Sequence, residues 1–360
     1  MRMKSTFSLF LFSLAVSCVT AKGRAQDVDF VVEPLEGFPK SEKGIEQGVS
    51  ACFAGVIDDC LLMAGGCNFP ETPAAEGGKK RFYRGIYLAR LNGGRKLKWK
   101  RVGYLPESTA YGVSITAKDG IVCVGGNNGE SSLSSVYKVK IKKGKTIVEP
   151  LPSLPIAMDD FTGALRGDSL VVFGDHMLYS LNLADVQQGW KFRAKTSVQR
   201  LQPVSGFVGS NFCVWGGYKQ KTGNAEASLS FDGMRFHDNS TMELEGPRHP
   251  VYQETFSLCG AAAINLNAEM VVAMGGVDND IFLNALNSPA PDYLTHPSEW
   301  YRFSPWIFSY GRKGWQPVCQ SRHVARAGAT LVAHKGILYL IGGELKPGIR
   351  VPSVCRITIP

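Results

Sequence analysis

Several features that would classify this chain quickly are missing from it. After residue 25 it has no apolar run long enough to cross a bilayer, which excludes a protein built on membrane-spanning helices. The six histidines, at 176, 237, 249, 296, 323 and 334, form no compact ligand pattern, and no two of the nine cysteines stand at metal-ligand spacing. No metal site is therefore expected. The basic residues are scattered or gathered on turns such as Lys140-Ile-Lys-Lys-Gly-Lys145, which argues against nucleic acid as a partner.

What is present begins with a leader. Arg2 and Lys4 precede an apolar stretch over 7–19, and small residues offer cleavage after Ala21 or Ala25. That is the pattern of a secretory signal in residues 1–25, leaving 26–360 as the exported mature domain. Ala15-Val16-Ser17-Cys18 offers a second processing route, a lipid anchor at Cys18. Losing Arg2, Lys4, Lys22 and Arg24 lowers the formal charge of +9 by four, to +5. Such a modestly basic surface suits an anionic small molecule. Export permits disulfides, but Cys60, Cys123, Cys213 and Cys355 fall in or beside apolar strands, where free thiols serve as small core residues.

The organising signal is a repeat. Six apolar runs end in a glycine doublet or its remnant, at Gly65-Gly66, Gly125-Gly126, Gly174-Asp175, Gly216-Gly217, Gly275-Gly276 and Gly342-Gly343. Their spacings of 60, 49, 42, 59 and 67 residues are those of kelch-type blades with loop insertions. One blade cannot bury its own faces, whereas six in a ring can. The expected fold is all-β, a six-bladed kelch-type β-propeller. In the weakest blade, the fourth, the strands are expected at 204–208, 211–215, 227–231 and 235–238. The sixth blade is one strand short at the C-terminus, and the segment 29–34 can supply it, so that an N-terminal strand closes the ring. The insertion at 278–305 is expected to be a functional or packing loop.

Strand direction alternates within a blade, so the segment after each doublet and the segment before each first strand open on one mouth. That topology gathers residues 68–80, Tyr111, Asn127, Asn128, Asp159, Asp160, Asp175, Tyr218, Gln253, Glu254, Arg326, Glu344 and Arg350. Two loops stand out. In Gly342-Gly-Glu344-Leu-Lys-Pro-Gly-Ile-Arg350 a carboxylate follows the doublet and a Pro-Gly turn brings back an arginine. An acid and a permanent cation on one tight loop can move a proton beside an anionic substrate, and such a pair can equally staple a surface turn. Pro73-Ala-Ala-Glu76-Gly-Gly-Lys79-Lys80 carries a carboxylate and two amines on a glycine-loosened segment.

The loop ending in Arg350 resembles that of the bacterial N-acetylneuraminate epimerases, the sialic acid mutarotases, which are six-bladed kelch propellers of the Gram-negative periplasm, and the periplasm is the compartment this resemblance implies. Ala64-Gly-Gly66, Glu76-Gly-Gly-Lys-Lys80 and Ala110-Tyr-Gly-Val-Ser114 also match. They come early in this chain and late in familiar members, so it resembles a circularly permuted branch, which a ring with adjacent ends tolerates. The resemblance implies an isomerase that interconverts the α and β anomers of a sialic acid at C2, with a small sugar acid as partner and no cofactor. It implies catalytic roles for Glu344 and Arg350, and the same mouth suggests Arg326, Glu76, Lys79, Lys80, Tyr111, Asn68 and Asn128 as substrate-binding residues. The Ser-x-Asp-x-Gly-x-Thr-Trp boxes of sialidases are missing; Ser230-Phe-Asp-Gly-Met is the nearest approach and fails. The alternative is a non-catalytic kelch propeller that binds a glycan or a protein.

Overall fold

The buried second strand of each blade explains why the sequence shows unbroken apolar runs. In Cys60–Ala64, Leu61 and Met63 face the core shared with blade six, with Val332, Tyr339 and Ile341. Leu62 and Ala64 face the opposite core, shared with blade two, against Ile121 and Cys123. A strand covered on both faces by neighbouring blades has no polar side, so its pattern is continuous rather than alternating.

The computed structural model describes residues 30–237 and 240–359; the leader and Cys18 lie outside the described residues. It is a six-bladed β-propeller. Its first strands, Phe53–Ile57, Val113–Ala117, Thr162–Arg166, Val204–Val208, Ala261–Asn267 and Thr330–His334, contact one another in ring order around the axis. No helix among the described residues is long and apolar enough to cross a membrane. Six of the eight cysteines among the described residues are buried.

The doublets work by close approach between blades. Gly342 has φ +59°, and a Cβ there would sit 2.2 Å from the Val49 carbonyl oxygen. The next amide, Gly343 N–H, donates to that same carbonyl at 2.9 Å. Gly66, Gly126 and Gly276 donate in the same way to Thr109, Met158 and Arg326 of the following blade, at 2.8, 2.8 and 3.0 Å. These four doublets thus tie their blades to the next ones.

Blade six is completed as expected. Val31–Leu35 pairs antiparallel with Val354–Thr358, from Val31 opposite Thr358 to Leu35 opposite Val354. Phe30 and Leu35 bury on the two sides of the blade, in the cores shared with blades five and one. Pro34 is tolerated because an outer strand leaves half of its amides unpaired. Glu33 is gripped by Arg356 and by Arg95, the latter at 2.8 Å, and the Arg356 hydrogen bond holds its carboxyl below the usual range.

Blade four differs from expectation. In blade four the third and fourth strands are Asp232–His237 and Ser240–Glu245, not 227–231 and 235–238. The segment read as the third strand instead gives Ser228–Leu229, which pairs with Tyr218–Lys219 in a ribbon beside the mouth. In blade three, Ser169–Asn182 serves as both second and third strand: its first half pairs with Thr162–Arg166 and its second with Lys191–Arg200. Leu183 N–H donates to Asp168 O at 2.8 Å, so the segment folds back on itself about Asp175, whose φ is +58°. The Gly174-Asp175 remnant is therefore a tight turn with no loop after it. The 278–305 insertion contains the helix Asn279–Asn287, N-capped by the Asp278 side chain on Ile281 N–H.

Deleting residues 27–34 should cost at least about 3 kcal/mol, since burial of one large apolar side chain such as Phe30 is worth about 1.5–3 kcal/mol and an edge is exposed as well. Thermal unfolding followed by circular dichroism should show a clearly lowered midpoint; an unchanged midpoint would contradict closure by this strand.

Candidate active site

Six residues, one ahead of each first strand, form a collar around the axis. They are Ala51, Tyr111, Asp160, Gln202, Gly260 and Gly328, with φ of +54°, +62°, +50°, +53°, +69° and +60°. Each N–H donates to the carbonyl of its counterpart in the preceding blade. Ala51 donates to Gly328 at 2.7 Å, Tyr111 to Ala51 at 3.0 Å, and Asp160 to Tyr111 at 3.0 Å. Gln202 donates to Asp160 at 2.6 Å, Gly260 to Gln202 at 3.1 Å, and Gly328 to Gly260 at 2.9 Å. The chain of bonds closes on itself. Left-handed backbone costs roughly 1–2 kcal/mol for a residue with a Cβ, and four of the six carry one. The return is that every amide at the crowded axis finds a partner.

The collar girdles a cavity of about 980 Å³ lined by loops of several blades. On the blade-six side, Glu344–Lys346 pairs with Ile349–Arg350, and the register sets Glu344 opposite Arg350. A separation of six residues thereby becomes a contact: Arg350 Nη1 lies 3.0 Å from Glu344 Oε2, with the arginine side chain 4% and the glutamate 25% exposed. Arg350 Nε donates to Ser50 Oγ at 3.1 Å, and its guanidinium lies 5.1 Å from the centre of the Phe69 ring. Burial disfavours the charge on Arg350, but Glu344, Cys67 and Tyr111 outweigh it and hold the guanidinium above its usual range. Lys346 braces the loop from outside by donating to Leu294 O and His296 O of the insertion, at 3.1 and 2.5 Å.

Next around the ring, Lys80 Nζ donates to Tyr111 Oη at 2.8 Å and lies 4.9 Å from the centre of that ring. Burial pushes the Tyr111 phenol well up, and neighbouring Cys67 reinforces the shift. Lys79 also lines the cavity. From blade five the insertion contributes an aromatic and aliphatic wall of Ile281, Phe282, Tyr293, Leu294, Tyr301 and Phe303. Blade three contributes Asp159 and Asp160. Burial, reinforced by Asp159, pushes the Asp160 carboxyl up to about 7. No group of three or more His, Cys, Asp or Glu among the described residues is arranged to hold a metal ion.

The cavity thus brings together Glu344, Arg350, Lys79, Lys80, Tyr111, Asn127, Asp159 and Asp160 of the residues expected from sequence. It does not include Arg326, Asn68, Asn128 or Glu76. Arg326 is 3% exposed, and its fork donates to Gly342 O at 2.8 Å and His323 O at 2.6 Å. It props up the doublet of its own blade, as buried Arg200 does for Gly216 O in blade four. Asn68 is spent on Gly44 O, Gly48 O and the Tyr83 hydroxyl. Asn128 caps a turn at Glu130 and Ser131 and donates to Glu107, and Glu76 stands exposed on the short turn Ala74–Glu76. Asp175, Tyr218, Gln253 and Glu254 also lie off the cavity lining. Sequence reasoning missed Gln202 and the individual residues of the insertion wall; the place of Ala51, Tyr111 and Asp160 two residues ahead of their first strands could have found Gln202.

A family model described as N-acetylneuraminate epimerase matches residues 20–148 and 151–360. Among curated proteins, the N-acetylneuraminate epimerase of Salmonella enteritidis PT4 is 25% identical over 225 residues, 57% of this chain and 57% of that protein. That of Yersinia enterocolitica is 31% identical over 139 residues, 36% of this chain and 34% of its own length. That of Vibrio vulnificus is 33% identical over 105 residues, 28% of this chain and 27% of its own. The chain spans little more than half the length of the curated relatives it matches. A solved structure titled "Structure of YjhT" superposes with a TM-score of 0.60 at 13% identity, over 90% of this chain and 97% of that one, and shows the shared fold.

The two kinds of cation here should separate in mutants. Arg326→Ala strands two buried carbonyls at about 1–3 kcal/mol each, so urea unfolding should register a loss of at least about 2 kcal/mol. Lys80→Ala should leave stability within about 1 kcal/mol and weaken binding of an anionic sugar in calorimetric titration. Full stability of Arg326→Ala would refute its role as a prop.

Proposed function

We propose that this chain, which belongs to the N-acetylneuraminate epimerase family, interconverts the α and β anomers of N-acetylneuraminate or a close keto-sugar acid. The observation that carries the reading is the hairpin that sets Glu344 against Arg350 on the wall of the central cavity. Opening a C2 hemiketal requires removal of the anomeric hydroxyl proton and delivery of a proton to the ring oxygen. Closing on the other carbonyl face reverses both transfers. Proton transfer and positioning suffice for this chemistry.

Glu344 is the general base for the anomeric hydroxyl, and its ion pair with Arg350 fixes the orientation of the carboxylate. Arg350, permanently charged and clamped by Ser50 and Phe69, stabilises negative character on the anomeric oxygen as the ring opens. The sugar carboxylate falls to Lys80 and Lys79, because Arg326 is committed to the fold. The apolar wall of the insertion suits the acetamido methyl. We assign the work to the periplasm on the strength of the 7–19 leader, and we read the late position of the catalytic loop as that of a permuted branch, whose first and last described strands pair in blade six.

The test is proton NMR of freshly released α-N-acetylneuraminate, with and without the purified protein. The wild type should accelerate appearance of the β anomer, and Glu344→Gln should lower the catalysed rate by roughly 10²–10⁴. A wild-type rate in that variant would remove Glu344 from the mechanism. A folded wild type that binds the sugar without accelerating its conversion would point to the non-catalytic propeller instead.

A further inference from the structure

The proposed reaction moves protons at two oxygens of the sugar, and Glu344 accounts for one. The collar offers side chains at only four of its six places: a methyl at Ala51, a phenol at Tyr111, a carboxyl at Asp160 and an amide at Gln202. Methyl and amide do not exchange protons, and the half-buried phenol has Lys80 donating to its oxygen. That leaves Asp160.

Its placement fits the task. Blade three stands three places around a six-membered ring from blade six, so Asp160 and Glu344 line the same cavity from opposite sides. The neighbouring acid is already committed: Asp159 Oδ2 accepts from Asn127 Nδ2 at 2.6 Å and from Ser132 Oγ at 2.9 Å. Asp160 is held differently. Gln202 Nε2 donates to its Oδ1 at 3.2 Å, and Oδ2 has no hydrogen-bond partner among the described residues. Its left-handed φ of +50° is a strained position that glycine fills in blades five and six.

We propose that Asp160 is the second catalytic residue of the site: as a carboxylic acid it gives its proton to the sugar ring oxygen while Glu344 takes the proton of the anomeric hydroxyl. The assignment rests on the mutarotase reading above. The electron pair of the C2–ring-oxygen bond goes to the ring oxygen, which gains the Asp160 proton. The O–H pair of the anomeric hydroxyl becomes the carbonyl π bond. The open keto acid then sits between a protonated Glu344 and an ionised Asp160. Rotation about the bond from C2 to C3 presents the other carbonyl face, and closure returns both protons to their starting groups.

The electrostatics agree. Burial pushes the Asp160 carboxyl up to about 7; Asp159 and Glu344 reinforce this, and Gln202 and Lys80 oppose it. The phenol of Tyr218 and the thiol of Cys259 also sense this carboxyl. Near neutral pH both protonation states are therefore populated, as a group that both gives and takes a proton requires. A raised carboxyl favours the fold while protonated, so its contribution is present at low pH and lost as pH rises toward about 7.

Asp160→Asn keeps the shape and tolerates left-handed backbone. It should lower the NMR-measured anomerisation rate by roughly 10²–10⁴ while the dissociation constant for N-acetylneuraminate changes by no more than about tenfold. The wild-type rate should fall on the alkaline side with an apparent pKa near 7, and that limb should be absent from the residual activity of the variant. Its thermal midpoint at pH 8 should rise, because an ionised carboxyl has been removed. Should the amide fail to fold, Asp160→Gly suits the φ of +50°, preserves both collar hydrogen bonds and should show the same loss of rate. A wild type that accelerates anomerisation, with Asp160→Asn matching it across pH, overturns the Asp160 assignment alone. A wild type without acceleration overturns the mutarotase reading and this assignment with it.

Discussion

Six backbone amides, each donating to the carbonyl of the blade before it, close a ring at the axis of this protein, and the rest of the molecule is arranged around that ring. Backbone amides need partners, and around the axis of this propeller they find them in one another. Pairing in a closed circuit requires left-handed backbone at all six positions. Linked donors and acceptors also polarise one another, which favours the complete circuit over a broken one. At the outer rim, the N-terminal strand and the grip of Arg356 and Arg95 on Glu33 close blade six from the other side. Collar and clasp together fix the radius at which the loops meet.

Function comes from asymmetry laid over this repeated frame. Blades five and six place glycine on the collar and leave room beside the Glu344 hairpin. Blades two and three place a phenol and a carboxyl there, at a cost in backbone strain of about 1–2 kcal/mol each that a purely structural collar would avoid. Blade one supplies the lysines and blade five the aromatic wall. The result is a cavity with an ion-paired acid on one side, a second acid across from it, cations toward blade one and apolar surface toward blade five. A ring-shaped anionic sugar presents the matching chemistry.

Much of this was legible in the residues. Glycine doublets at blade-like spacing give the ring, and a C-terminal blade one strand short gives the closure, because both follow from steric and edge constraints that residue type records. The Glu344 to Arg350 spacing with Pro347-Gly348 between them gives a hairpin contact. Arg326 was misread because topology sets how near a residue lies to the mouth and not which way its side chain turns. Two positions before the collar, it turns inward under Gly342, where a guanidinium can satisfy several carbonyls at once. The collar itself was hidden: Ala, Tyr, Asp and Gln do not advertise left-handed backbone, and only comparison of the six aligned positions exposes it. Blade four was misphased because Ser228–Leu229 leaves the blade to form the ribbon with Tyr218–Lys219.

A crystal structure of the protein soaked with N-acetylneuraminate tests the account most directly. The account predicts the sugar in the central cavity, its anomeric oxygen within hydrogen-bond reach of Glu344 and its ring oxygen facing Asp160 Oδ2 across the collar. A sugar bound elsewhere, or seated in the cavity with C2 turned away from both carboxyl groups, would contradict it.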